Sequence, residues 1–370
     1  MPLVPNPIIS VLPRYNAGMN IDLARKISGK SRIAALASNE NPYGCSPRVH
    51  EALASEAFDP SRYPDPACVA LREAISATVS IPADQIVIGN GSEELIAAIS
   101  RAYVVPGSKA LTVTPSFGLH EIDPLAAGAT VTKIPMSVDM EFDISALEAA
   151  LADKPAIFFL PTPSNPVGCA LDMAQLERLV AATSPETLFV IDEAYFEFQE
   201  EVDGTRLLGR ANLNCIVLRT FSKAYGLAGL RIGYALCSSA EIANMLSRAK
   251  PPFDVNAAAQ IAATTAIGDQ RWMRSKVATI QAERERVASS VRELGLLVAP
   301  SAANFIFVKT RWSSQEVARS LLTNGVIVKP WKEVGFEDWL RVSIGSNSEN
   351  DMFLAALKSL AESSESVLSR

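Results

Sequence analysis

Between residues 86 and 237 the chain repeats one pattern, a short apolar run followed by a stretch with helical spacing. The runs are IVIG at 86, ALTVT at 110, TVTKI at 130, AIFFL at 156, TLFVI at 187, CIVLR at 215 and YALC at 234. Such alternation predicts an α/β fold with a mostly parallel sheet. A sheet of this kind presents its ligand outside the carboxyl ends of the strands, so the residues directly after each run are the ones to inspect. After Arg271 the pattern changes, because Met273, Val277, Ile280, Val287, Val291 and Leu294 recur at helical spacing. A second, smaller α/β unit is expected from there. It continues through NFIFVKT, VIVKPW and WLRVSIG to a Ser/Glu-rich tail, AESSESVLSR, expected to fray. The Pro- and Asn-rich opening lacks a core pattern and predicts an arm lying on another element. The expected division is an arm over 1–45, a large domain over 46–265 and a small domain over 266–370.

Bulk properties remove several function classes. The net charge of −6 argues against a nucleic-acid partner, which needs clustered excess Lys and Arg. A small anionic ligand stays open. No run of about 18 apolar residues is present, as a membrane span requires. The opening MPLVPNPIISVLPRYNAG carries no basic region of the signal-peptide kind, so a cytoplasmic protein is expected. Five cysteines at wide, irregular spacing argue against a disulfide framework, and two histidines, His50 and His120, are scarce parts for a metal site or a serine triad. No metal is expected.

Each strand end offers a group with a bland use and a chemical one. After IVIG, Gly91, Ser92 and Glu93 open a helix; a helix N-terminus seats phosphate, and a simple cap explains the same letters. Phe117, after ALTVT, either completes the core or lies flat on a planar ring. Asn165 stands between prolines in a turn, after AIFFL. Asp192 ends TLFVI directly, where a carboxylate is partly buried and needs a partner; Tyr195 follows. In TFSKAYGLAGLRIGY, Ser222 and Lys223 precede Arg231, and two cations this close repel unless an anion sits between them. GNGSEE lacks the third glycine of a dinucleotide fingerprint, which disfavours a nicotinamide enzyme.

Taken in order, N165-P, D192-E-A-Y195 and S222-K223 followed by R231-x-G233 resemble the class I/II aminotransferases of pyridoxal-phosphate fold type I. With SNENPYG, RYPDP, GNGSEELI, FFLPTPSNPVG, VIDEAYFEF and LRTFSKAYGLAGLRIGY, the chain is similar to the histidinol-phosphate aminotransferase family from about Leu12 to about Ser348. The resemblance implies a fold type I transferase with pyridoxal 5'-phosphate as cofactor, whose phosphate is the anion between Lys223 and Arg231. It implies that Lys223 holds the cofactor aldehyde and shuttles the substrate proton, for which the amine must shed its charge. Asp192 would pair with the pyridine nitrogen, and Asn165 and Tyr195 with the 3'-oxygen. Ser222, Arg231 and the backbone at Gly91, Ser92 and Glu93 would hold the phosphate, and Phe117 would stack on the ring. Tyr63 would reach the phosphate from a partner subunit, so a homodimer is implied. Arg341 would take a substrate carboxylate through its planar fork, with 2-oxoglutarate as the amino acceptor. Tyr15 and Asn39 would cover the substrate.

The family pattern departs where an arginine that grips the substrate phosphate usually follows the VIV-like strand. Here Lys329 stands in VIVKPW, keeping the charge and losing the fork. Trp331 beside it suits an aromatic donor equally. Three activities therefore remain: histidinol-phosphate amino transfer in histidine biosynthesis, an aromatic or broad amino-acid aminotransferase, and a decarboxylase similar to those acting on threonine phosphate.

Overall fold

The computed structural model describes residues 3–4, 6–13, 18–55 and 59–368. Its strands are β1 (Ala34–Leu36), β2 (Ile86–Gly89), β3 (Lys109–Thr114), β4 (Thr130–Pro135), β5 (Ile157–Pro161) and β6 (Leu188–Asp192). They continue as β7 (Asn214–Thr220), β8 (Gly233–Cys237), β9 (Leu297–Val298), β10 (Phe305–Lys309), β11 (Val326–Pro330) and β12 (Trp339–Ser343).

Every apolar run named between 86 and 237 becomes a strand of one sheet, ordered β2-β8-β7-β6-β5-β3-β4. The pairs from β7 to β4 are parallel, and β8 runs antiparallel to both β2 and β7. β5 and β6 are buried along their whole length, as parallel strands with helices on both faces must be. Alternation then sorts side chains to opposite faces: Phe158, Leu160, Phe189 and Ile191 enter one core, and Ile157, Phe159, Leu188 and Val190 the other. The edge strand β4 carries Thr130, Thr132 and Lys133 and is largely exposed, which blunts the edge.

The helix Ser92–Tyr103 buries Leu95, Ile96, Ala98 and Ile99, and has Glu93 and Glu94 in its first turn and Arg101 in its last, as the helix dipole favours. Gly233 is required by close approach, because a Cβ there would stand 2.7 Å from the Ser92 amide nitrogen and 2.9 Å from the Arg219 carbonyl oxygen. A buried ion network ties the ends of β6 and β7 together: Arg219 Nη2 lies 2.8 Å from Glu193 and 2.7 Å from Asp203. Breaking one partner of such a group leaves an uncompensated buried charge, so the strand ends are held rigidly.

The smaller sheet has the order β1-β11-β12-β10-β9, with β1 and β11 parallel and the rest antiparallel. The amino-terminal arm thus contributes a strand to it. The long periodic segment forms the helix Gln270–Glu293, burying Met273, Val277, Ile280, Val287 and Val291. The carboxyl-terminal stretch expected to fray is helical to Leu368. Among the described residues no helix is long and apolar enough to cross a membrane.

Candidate active site

One cleft of about 600 Å³ opens between the carboxyl ends of the larger sheet and the strands β11 and β12. Ser92, Glu93, Phe117, Asn165, Asp192, Tyr195, Ser222, Lys223 and Arg231 all line it from the large-sheet side, and Asn39, Lys329 and Arg341 from the other. Gly91 stands just outside the lining. Tyr63 does not line the cleft of its own chain; it is 83% exposed and stacks on Phe253 at 4.6 Å. Tyr15 lies outside the described residues.

Lys223 sits three residues past β7, and its Nζ donates to the Ser38 carbonyl oxygen at 3.0 Å. Burial draws its pKa down to about 8, with the Arg341 guanidinium and then Arg231 adding to the effect, against Glu40 and Glu93. Near neutral pH a real fraction of this amine is uncharged, which an ordinary lysine does not achieve.

Asp192 is 5% exposed. Its Oδ1 accepts the Ala194 amide at 3.1 Å, and its Oδ2 lies 2.9 Å from His120 Nε2. His120 is wholly buried, stacked on Phe159 and edge-on to Phe117, with Ser116 Oγ 3.3 Å from its other ring nitrogen. Sequence reasoning missed this residue. The available signal was one of only two histidines, falling three residues after Phe117 at the start of the helix Leu119–Ala126.

Asn165 Oδ1 accepts from Arg341 Nη1 at 2.7 Å, and Arg341 Nη2 also donates to the Ala37 carbonyl oxygen. Asn39 has a left-handed backbone, φ +54°, and its amide donates to the Tyr195 hydroxyl at 2.9 Å. Ser343 and Asn304 clamp Asn39 from the smaller sheet, at 2.8 and 2.9 Å. Tyr195 and Asn165 are therefore each tied to the opposite side of the cleft. Lys329 stands directly opposite Arg341 in the antiparallel register. Directly opposed residues share a sheet face. Burial, then Arg341 and Lys332, draw the Lys329 amine down to about 8.

At the far end, Arg231 Nη2 donates to Glu93 Oε2 at 2.8 Å, both side chains being 42% exposed. A pair this open contributes little to stability, so its guanidinium is readily shared with a ligand anion. Gly91, at φ +81°, leaves the backbone bare: a Cβ there would fall 2.7 Å from Arg231 Nη2. The first-turn amides of Ser92–Tyr103 and the Arg231 fork thus converge on a surface with no side chain in the way, a seat for an oxyanion.

The sequence matches the family described as aminotransferase class I and II over residues 31–357. It is 44% identical over 349 residues to histidinol-phosphate aminotransferase 1 of Mesorhizobium japonicum, covering 94% of this chain and 95% of that protein. It is 43% identical to histidinol-phosphate aminotransferase 3 of Rhizobium meliloti, covering 95% of each. Its fold matches the crystal structure of histidinol-phosphate aminotransferase from Sinorhizobium meliloti in complex with pyridoxal-5'-phosphate, with a TM-score of 0.87, 27% identity, and 96% and 97% of the two chains covered. A lowered lysine, a buried carboxylate and an oxyanion seat at the ends of one parallel sheet, matched over nearly the whole chain, establish that this protein belongs to the class I and II aminotransferase family.

Proposed function

We propose that the chain transfers the amino group of histidinol phosphate to 2-oxoglutarate, using pyridoxal 5'-phosphate held at Lys223. The names of the relatives support the donor. The observation that carries the chemistry is the Lys223 amine, drawn down to about 8 by desolvation and lining one cleft with Asp192, Asn165 and Tyr195.

The donor set fits the cofactor. The bare backbone at Gly91, with Ser92, Glu93, Ser222 and Arg231, suits its phosphate, and Asp192 suits a protonated ring nitrogen. Asn165 and Tyr195 suit its phenolic oxygen, and Phe117 its ring face. When bound, the group supplies an electron sink for the carbanion left at the substrate α-carbon. The chain's own residues bind, orient and move protons around it. Lys223 Nζ, neutral above about pH 8, takes the proton from the substrate α-carbon. His120 Nε2 and the Ala194 amide hold the Asp192 carboxylate in one orientation. Arg341 takes the α-carboxylate of glutamate or 2-oxoglutarate, and Lys329 on the same face takes the donor's phosphate.

A homodimer in the cytoplasm completes this reading, with the exposed Tyr63 delivered to a neighbouring copy's cleft; a purified protein that sediments as a monomer sinks that part. Trp331, lining the cleft beside Lys329, favours an aromatic donor as the second reading. Two measurements test the whole. Borohydride reduction of the purified protein followed by peptide mass mapping is expected to place the cofactor on Lys223. The ratio of kcat/KM for histidinol phosphate over phenylalanine, each with 2-oxoglutarate, is expected to exceed one. Tagging at another residue overturns the cofactor site, and a ratio below one overturns the donor.

A further inference from the structure

The loop joining β11 to β12 lowers a carboxylate into the cleft. Glu333 lines it, together with Trp331 and Lys332 of the same loop. The backbone of this loop is pinned: Trp331 N donates to the Trp339 carbonyl oxygen at 2.9 Å, and Phe336 N to the Glu333 carbonyl oxygen at 3.0 Å. Aromatic packing holds both ends, with Trp331 edge-on to Phe307 at 6.0 Å and Phe336 beside Phe307 and Trp339. The Glu333 side chain is equally fixed. Its Oε2 accepts the Trp331 indole N–H at 2.6 Å, and its Oε1 lies 3.4 Å from the Thr114 hydroxyl, across the cleft at the end of β3.

A carboxylate with two oxygens has about four acceptor sites, and these two donors leave capacity over. Nearby charge does not use it up. Burial raises the Glu333 pKa, and the basic group whose charge opposes this is Lys133, itself paired with Glu121 at 2.9 Å. Lys329 and Arg341, which suit an anion, lie on the strands flanking the same loop. The cleft is therefore polarised, with an anion-binding face on β11 and β12 and a pre-oriented acceptor on the loop between them.

Resting on the reading above, we propose that Glu333 determines donor specificity by accepting an N–H from the ring of the amino donor, selecting an imidazole over a phenyl ring of similar size. Trp331 orients that carboxylate and supplies a flat wall beside it. A half-buried acceptor that the bound ring shields from water discriminates against an analogue lacking the N–H, because part of its acceptor capacity is then left unfilled.

The test compares wild type, Glu333→Gln and Glu333→Leu. Glutamine keeps an acceptor oxygen at nearly the same place, and leucine removes it. The ratio of kcat/KM for histidinol phosphate over phenylalanine is expected to fall about 10- to 100-fold in E333L and by less in E333Q, on the worth of a hydrogen bond to a charged group. Calorimetric binding of the two donors is expected to show the same ordering. A purely structural role, bridging the cleft to Thr114, lowers both donors together and leaves the ratio unchanged; Thr114→Val isolates that bond. An unchanged ratio in E333L overturns the proposal. L-histidine against L-phenylalanine reads the ring contact without the phosphate, so refusal of histidinol phosphate by wild type counts against the donor assignment while a ratio lost in E333L still upholds this one.

Discussion

The two sides of the cleft acquire their charges by different routes. On the larger sheet the acid and the lysine follow their strands closely: Asp192 is the last residue of β6, and Ser222 and Lys223 lie two and three residues beyond β7. Buried parallel strands have no freedom to shift, so their ends carry fixed positions into the cleft. On the smaller sheet, Lys329 and Arg341 are twelve residues apart and become neighbours only through the antiparallel register of β11 and β12. One side is set by the order of strands along the chain. The other is set by which residues a hairpin opposes. On the proposed function, reaction chemistry falls on the rigid side and substrate choice on the adjustable one.

The largest effect should come from the rigid side. Lys223→Ala is expected to lower the transamination rate roughly 10⁴-fold or more, and Asp192→Ala by about 10²- to 10³-fold, with the circular dichroism spectrum unchanged. A K223A protein within tenfold of wild type removes the lysine from the chemistry. The same amine gives a pH signature in the cofactor-free chain. Reductive methylation mapped to Lys223 should be half-maximal near pH 8 rather than at the ordinary 10.5, because only the neutral amine reacts. The sign follows from its lowered pKa: between 8 and 10.5 the unfolded chain binds more protons than the folded one, so this group's contribution to stability rises with pH across that window. Arg341→Met should move the midpoint upward by removing a neighbouring positive charge.

An intermediate effect is expected on the adjustable side. Lys329→Met should lower kcat/KM for histidinol phosphate about 10- to 100-fold, whereas Lys329→Arg, which restores a planar fork, should raise it severalfold. KM for 2-oxoglutarate should change far less than either, since the proposed function gives that contact to Arg341. Matching changes for donor and acceptor would erase the division of labour between the two residues.

The smallest effect concerns the frame. Gly233→Ala drives a Cβ into backbone atoms of Ser92 and Arg219, which cannot yield, and should cost about 1–3 kcal/mol, read as a fall of a few degrees in Tm. Gly345→Ala, two residues past β12, meets only side-chain atoms, Leu36 Cδ2 at 2.6 Å and Glu349 Cβ at 3.0 Å, rather than backbone. It should cost less. Equal shifts in Tm would mean that the two frames are equally stiff.

Much of this is legible in the sequence. All seven apolar runs from 86 to 237 are strands of one sheet, and the periodic residues after Arg271 are the buried face of one helix. Lys223, Asp192, Asn165, Tyr195, Phe117 and Arg231 could be named because a parallel sheet puts whatever follows a strand at one edge. The partner of His120 could not be named: its bond to Asp192 spans 72 residues and depends on how the helix after β3 packs. The Asn39–Tyr195 and Arg341–Asn165 bonds span 156 and 176 residues and close the cleft from opposite sides. Glu333 carried no signal in its own neighbourhood.

The sequence by itself determined the strand order's raw material, the helix whose N-terminus offers an oxyanion seat, and the acid and lysine that follow successive strands with the arginine after them, because these depend on local periodicity and on what comes next in the chain. Tertiary structure alone decided that Lys223 loses its charge near pH 8, that Lys329 and Arg341 share a face, and that Glu333 enters the cleft. Desolvation and through-space charge act over a few ångströms, and no spacing along a chain specifies which distant groups will come within that range.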